Sequence, residues 1–307
     1  MQPLRGIGLK VCSVMVFMVM STLIKLVSEE IPPGQTVFFR SAFALPVIVP
    51  WLVATGELRA GIVTANPLGH FWRGLAGTGA MACTFAGLGL LPLPEVTAIS
   101  YAAPLLTVIL AAMFLGEQVR LFRIMAVCLG LVGVLIVLSP RLTALRSDEM
   151  AASEALGAMV VLTGALFAAL AQVFVRKLVF EERTTAIVFW FSVNSALLSL
   201  ISLPWGWVWP APGTAALLVL IGLAGGVGQV FLTSSYRYAD ASVVAPFEYS
   251  SMILALVVGY FVFGEVPTLV VLSGAAMVVA AGILIMWRER QLGLERARQR
   301  QSMTPQG

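Results

Sequence analysis

Charge is scarce in this 307-residue chain. Asp, Glu, Lys and Arg make up 11% of it, against 59% hydrophobic residues, where a soluble domain carries about 25% charged residues. So little polar material cannot cover a water-facing surface, which excludes an ordinary soluble protein. Histidine occurs once, at His70, and aspartate twice, at Asp148 and Asp240. Both aspartates fall near expected helix ends and His70 is peripheral, which argues against an intramembrane enzyme built on two aspartates or on a serine with a histidine. The three cysteines, Cys12, Cys83 and Cys128, form no CxxC and have no histidine beside them. Neither a disulfide framework nor a metal centre is expected, and no cofactor. Apolar and polar residues do not alternate, so an outer-membrane barrel is excluded. "GLAGGVG" (222–228) lacks the Lys-Ser/Thr ending of a nucleotide loop, and no soluble segment is long enough to hold ATP.

Long apolar runs dominate what is present. A spanning helix needs about 20 such residues, and ten stretches qualify: 6–28, 35–55, 68–91, 95–115, 121–139, 155–177, 184–204, 213–236, 241–263 and 268–287. "EEIPPGQ" (29–35), "LPLPE" (91–95) and "PWGWVWPAPG" (204–213) break them with turn-forming residues. Trp205, Trp207 and Trp209 suit a membrane–water interface. Arg5 and Lys10 ahead of an apolar run resemble a signal peptide, but Lys25 follows and no A-x-A-like site does, so the first helix is expected to be retained.

Basic residues set the expected orientation. With the N-terminus in the cytoplasm, that side takes Arg5, Lys10, Arg59, Arg73, Arg120, Arg123, Arg176, Lys177, Arg183, Arg237 and five tail arginines. The outside takes only Arg141 and Arg146. Both termini are therefore expected inside, with the lipid bilayer as the chain's surroundings. The net charge of +4 needs no nucleic acid to explain it.

The chain repeats itself. At an offset of 148, Tyr101 falls on Tyr249, Gly116-Glu117 on Gly264-Glu265, and Gly74-Leu75-Ala76-Gly77 on Gly222-Leu223-Ala224-Gly225. "KLVSEE" (25–30) matches "KLVFEE" (177–182) at offset 152. Each half holds five helices. Five is odd, so the second half enters the membrane inverted, an arrangement found in many secondary transporters. The expected organisation is an all-α membrane protein with one repeat at 6–139, a polar linker at 140–154, a second repeat at 155–287 and a basic cytoplasmic tail at 288–307.

The paired Gly116-Glu117 and Gly264-Glu265, with the arginine of "FFRSAFALP" (38–46), resemble the EamA-type repeat of the drug/metabolite transporter superfamily. The resemblance covers about 8–139 and 155–287. It implies an inner-membrane carrier with a central cavity, moving amino acids, nucleotide-derived metabolites, vitamins or drugs.

Among candidate site residues Glu248 comes first. It lies about eight residues into the ninth segment, roughly 12 Å deep, where an acid faces a cavity or a partner. It is a candidate to bind a cationic group or carry a coupled proton. The packing alternative is an ion pair with Arg40, Lys25 or Arg176. Pro246 frees nearby carbonyl groups, so "APFEY" (245–249) reads as a locally broken helix. Ser100 stands at the repeat-equivalent position, which makes the acid asymmetric. Tyr101 and Tyr249 offer rings and hydroxyls either to a cavity or to packing. Arg40 suits a solute carboxylate. Gln172, Asn194 and Gln229 are amides that orient a solute or bridge helices. Trp190 and Phe191 are candidate lining residues. Lys25, Glu117 and Glu265, near helix ends, read as structural or gating groups. The glycines at 74, 77, 222, 225, 226 and 228 read as close-packing positions.

The expected activity is secondary transport, import or export, of small polar or amphipathic metabolites such as amino acids. A vitamin or nucleotide-derivative importer and a non-transporting membrane subunit are the alternatives. The latter would tolerate Glu248→Gln. An ion channel would need a ring of charges or a carbonyl filter, which one deep acid does not make.

Overall fold

The computed structural model describes residues 2–115, 121–143, 149–239 and 241–303. The described residues are helical, with no strand among them. The first half contains α1 (Pro3–Val27), α2 (Pro33–Ala42), α3 (Leu45–Ala54), α4 (Leu58–Ile62), α5 (Pro67–Leu90), α6 (Leu93–Ser100), α7 (Ala102–Leu115) and α8 (Leu121–Thr143). The second contains α9 (Glu149–Leu178), α10 (Thr184–Ser199), α11 (Pro212–Tyr238), α12 (Ala241–Val244), α13 (Ser250–Phe263) and α14 (Leu269–Met303).

Among the described residues nine segments are long and apolar enough to cross a membrane. The tenth, α5, has 24 residues, but six glycines, His70 and Arg73 dilute it. Two spans are broken where a proline withholds the donor for the carbonyl four residues back. Pro46 follows the turn between α2 and α3, and Pro104 follows the junction of α6 and α7 at Tyr101. In the ninth span, Ala245–Tyr249 is a 3-10 turn carrying Pro246, between α12 and α13.

The inverted relation of the halves appears in the packing. The first half's third helix, α5, lies chiefly on the second half's first, α9; α11 lies in the same way on α1. The second helices, α2 and α10, meet each other, as do α8 and α14, and α6 and α13. The repeated "GLAG" tetrapeptides occupy matching places. A Cβ on Gly222 would strike Phe43 and lie 2.6 Å from the Phe39 carbonyl of α2, and one on Gly74 would lie 2.7 Å from Asn194 Cβ of α10. At the α8–α14 contact a Cβ on Gly133 would come within 2.8 Å of the Gly274 carbonyl. Small residues let these backbones approach where lipid gives helices no hydrophobic reason to associate.

The duplicated acidic turns cap the opposite half. Glu182 accepts hydrogen bonds from Thr64 Oγ1 (2.6 Å) and the Ala65 and Asn66 amides (2.7 and 2.9 Å) at the start of α5. Glu30 accepts from Thr214 Oγ1 (2.8 Å) at the start of α11. Carboxylates are well placed at these positive helix ends.

Candidate functional site

The breaks at Tyr101 and Tyr249 bring the two repeat-related tyrosines together. Their rings meet edge to face with centroids 5.0 Å apart. Tyr101 Oη lies 2.6 Å from Ser251 Oγ and donates to the Tyr249 carbonyl at 3.4 Å. Beside them is a cavity of about 460 Å³, whose polar lining includes Lys10, Ser100, Tyr101, Gln172, Tyr236 and Glu248. A smaller one, about 180 Å³, shares Lys10, Tyr101, Tyr236 and Glu248 as its wall and adds Tyr249. The larger volume is in the range of small-molecule sites, about 300–1,000 Å³.

Glu248 forms an ion pair with Lys10 of α1. This corrects the expected partners Arg40, Lys25 and Arg176. It also moves Lys10 from the cytoplasmic edge, where charge counting put it, into the helix packing. Lys10 is 3% exposed and Glu248 50%. The lysine is thus held in protein by its acid, while one side of the acid faces the cavity. Unpaired, a charge in such surroundings is costly. The 3-10 turn at Ala245–Tyr249 packs against α1 and brings Glu248 to Lys10.

Toward the Val27 end of α1 the cavity wall includes Leu88 and Leu93. Just beyond stands a second ion pair. Lys25 Nζ lies 3.0 Å from Glu265 Oε1 and donates to the Leu88 and Leu91 carbonyls at 3.0 and 2.6 Å. Glu265 Oε2 accepts from the Leu93 amide at 2.8 Å. This ties together the ends of α1, α5, α6 and α13. Gly264, left-handed at φ 66°, ends α13 and turns the chain so that Glu265 reaches back.

Arg40 and Arg73 form a separate cationic centre. Arg40 of α2 is 5% exposed. The Arg73 guanidinium of α5 sits 3.7 Å from the centroid of the Phe191 ring, and that of Arg40 sits 5.6 Å from it. Arg40 Nε and Arg73 Nε and Nη1 are buried without hydrogen-bond partners, and among the described residues neither arginine has an ion pair. A cation–π contact offsets about 0.5–2 kcal/mol. That falls below the roughly 2.5–3.5 kcal/mol per charge at a helix centre in a bilayer.

The other predicted residues separate into different roles. Gln172 and Ser100 line the cavity. Asn194 bridges helices, donating to the His70 carbonyl at 3.1 Å. Trp190 Nε1 donates to the Ile62 carbonyl at 3.1 Å, tying α10 to α4. Gln229, on α11, is not among the residues lining this cavity. Glu117 lies outside the described residues. Sequence reasoning missed Lys10, Tyr236 and Ser251 at the cavity and Arg73 beside Arg40. The apolar stretches expected at 6–28 and 68–91 put Lys10 and Arg73 only four and five residues inside, where they read as membrane-edge charges, whereas the helices begin at Pro3 and Pro67.

Nine membrane-crossing segments among the described residues, with α5 as a tenth pass, in two inverted halves around a cavity that has an ion pair in its wall, define a multi-pass helical membrane protein. The chain belongs to the EamA-like transporter family, whose model matches residues 4–139 and again 155–287. It is a transporter and not an enzyme. It is 26% identical over 288 residues, 94% of each chain, to the S-adenosylmethionine uptake transporter of Rickettsia conorii. It is 28% identical to the pseudopaline exporter CntI of Pseudomonas aeruginosa, covering 91% of this chain and 95% of that one. A solved crystal structure shares the fold at a TM-score of 0.63 and 17% identity, over 94% of this chain and 98% of that one.

Proposed function

We propose that this protein is a secondary carrier of small zwitterionic, amphipathic metabolites of the amino-acid type, working by alternating access. The observation that carries the reading is the Lys10–Glu248 pair in the wall of a cavity of about 460 Å³. A solute cation competes with Lys10 for the exposed side of Glu248, while Tyr101, Ser100, Gln172 and Tyr236 supply an aromatic face and neutral hydrogen-bonding groups. S-adenosylmethionine joins an ammonium, a sulfonium and a carboxylate to an adenosine group whose flat base can stack on an aromatic ring. The likeness to a transporter named for it makes it the first solute to test.

The Lys25–Glu265 pair serves as the gate at the Val27 end, opening as the halves rock. The halves are the repeats 6–139 and 155–287, joined through 140–154, in an inner membrane with both termini and the tail 288–307 cytoplasmic. Glu248 is also the site of proton coupling: protonation releases Lys10 and loosens the pair that a solute must displace.

The test uses full-length protein in liposomes preloaded with unlabelled solute. Counterflow of labelled S-adenosylmethionine, and of amino acids found by a thermal-stabilisation screen, is followed with and without a pH gradient. Saturable counterflow that a gradient accelerates supports the reading. Saturable flux indifferent to the gradient removes the proton from it. Absence of saturable flux for every stabilising solute contradicts it.

A further inference from the structure

We propose that Arg40 and Arg73, both set against the Phe191 ring, form the site that receives the carboxylate of the transported solute, a second binding centre apart from the Lys10–Glu248 pair. The inference rests on the carrier reading for its solute, but on this structure for its chemistry.

Two guanidiniums, Arg40's buried and Arg73's half-buried, share one aromatic ring, and no carboxylate pairs with either among the described residues. Three of their N–H nitrogens are buried and unused. Buried polar groups are nearly always satisfied, so orphaned ones need an account. Two lysines of α1, by contrast, have their acids: Lys10 has Glu248 and Lys25 has Glu265. An arrangement that places like charges together in a low-dielectric interior is stabilised by an anion brought from outside. Guanidinium is suited to the task, since its planar fork matches a carboxylate's two oxygens.

The repeat also clears the space. The last glycines of the two "GLAG" tetrapeptides lie against these groups. A Cβ on Gly225 would lie 3.1 Å from Arg40 Nε, and one on Gly77 would strike Arg73 Nη1 and lie 2.6 Å from Phe191 Cε2. A Cβ on Gly225 would also lie 3.3 Å from Met20 Sδ. Met20 is ten residues along α1 from Lys10, about 15 Å at 1.5 Å per residue. That separation exceeds the reach between the cation and the carboxylate of one amino-acid end, so the arginines serve as a station for the carboxylate separate from Glu248. Arg40 comes from α2 and Arg73 from α5, so a bound carboxylate joins two helices of the first half beside Phe191 of α10 in the second.

The first arm of the test asks only for the anion site. Full-length protein is placed in nanodiscs of phosphatidylcholine, free of anionic lipid, and its thermal unfolding is followed against sodium succinate at constant ionic strength set with chloride. The wild type should show a saturable rise in Tm. Arg40→Gln and Arg73→Gln should weaken succinate binding about 10- to 100-fold, and Arg73→Lys, which keeps the charge but loses the fork, should also weaken it. No saturable rise in the wild type, or one that both Gln variants retain, overturns the site. A rise that needs phosphatidylglycerol in the nanodisc assigns the arginines to a lipid phosphate and overturns the solute reading. The second arm compares S-adenosylmethionine with its decarboxylated counterpart. The carboxylate should tighten binding about 10-fold or more in the wild type and not in Arg40→Gln. Equal binding of the two compounds overturns the carboxylate assignment while leaving the carrier intact. Succinate binding that depends on the arginines, in a protein that transports nothing, keeps the site and overturns the carrier.

Discussion

At the scale of single residues, Lys10 and Glu248 hold the cavity's charge in balance. Glu248→Gln leaves a lysine that is 3% exposed without its acid. This should cost about 1–3 kcal/mol, read as a lowered Tm in detergent. Adding Lys10→Met should recover most of that loss, because removing both partners of a buried pair is far cheaper than removing one. The double variant should stay inactive in uptake. If both single variants and the double keep wild-type Tm, the pair is not a structural unit. Glu248 was legible in the sequence because an acid in an apolar run stands out. Lys10 was not, because Arg5 close before it makes both look like membrane-edge charges. Only the approach of α1 to the 3-10 turn at Ala245–Tyr249 shows which cation the acid holds, and that contact is 238 residues apart in the chain.

At the scale of elements, close backbone approach and capped helix ends hold the halves together. Gly222→Ala would drive a methyl into Phe43 and the Phe39 carbonyl, atoms of a helix that cannot step aside. A loss of about 1–3 kcal/mol is expected. Gly8, also in a helix, has nothing within 4 Å of its would-be Cβ, and Gly8→Ala should gain about 0.4–1 kcal/mol. Equal effects from the two would refute the packing account. Glu182 supplies a pH test. Burial acts to raise its pKa, but hydrogen bonds from Thr64, Asn66 and Ala65, with His70 nearby, outweigh it and hold the carboxyl below its ordinary value of 4.5. A lowered pKa means that the stabilisation is complete above the unfolded value and disappears as pH falls through the folded one. Tm should therefore drop below about pH 4.5, and Glu182→Gln should flatten that drop while lowering Tm at neutral pH. A steeper drop in the variant would contradict the assignment. Helix existence was legible from hydropathy. The break between α2 and α3 was not, since Pro46 is itself compatible with an apolar run and leaves the hydropathy pattern unbroken.

At the scale of the whole molecule, the inverted repeat was readable because an odd helix count and ordered matches at nearly one offset leave one topology. What the repeat does not reveal is which symmetry-related pairs are engaged. Lys25 and Glu265 meet at one end, and their contact links four helix ends around the cavity. If this is the gate, Glu265→Gln should speed alkylation of a cysteine placed at Ser100, in a chain lacking Cys12, Cys83 and Cys128, by an impermeant reagent applied from the Val27 side. An unchanged rate would make the pair a fixed staple. The account as a whole is tested most directly by saturable uptake of S-adenosylmethionine into liposomes holding the full-length protein, wild type beside Glu248→Gln. The account predicts saturable uptake in the wild type and its loss, about 10-fold or more, in a variant shown to be folded. Saturable uptake undiminished by Glu248→Gln would contradict the claim that the solute meets the protein at this pair.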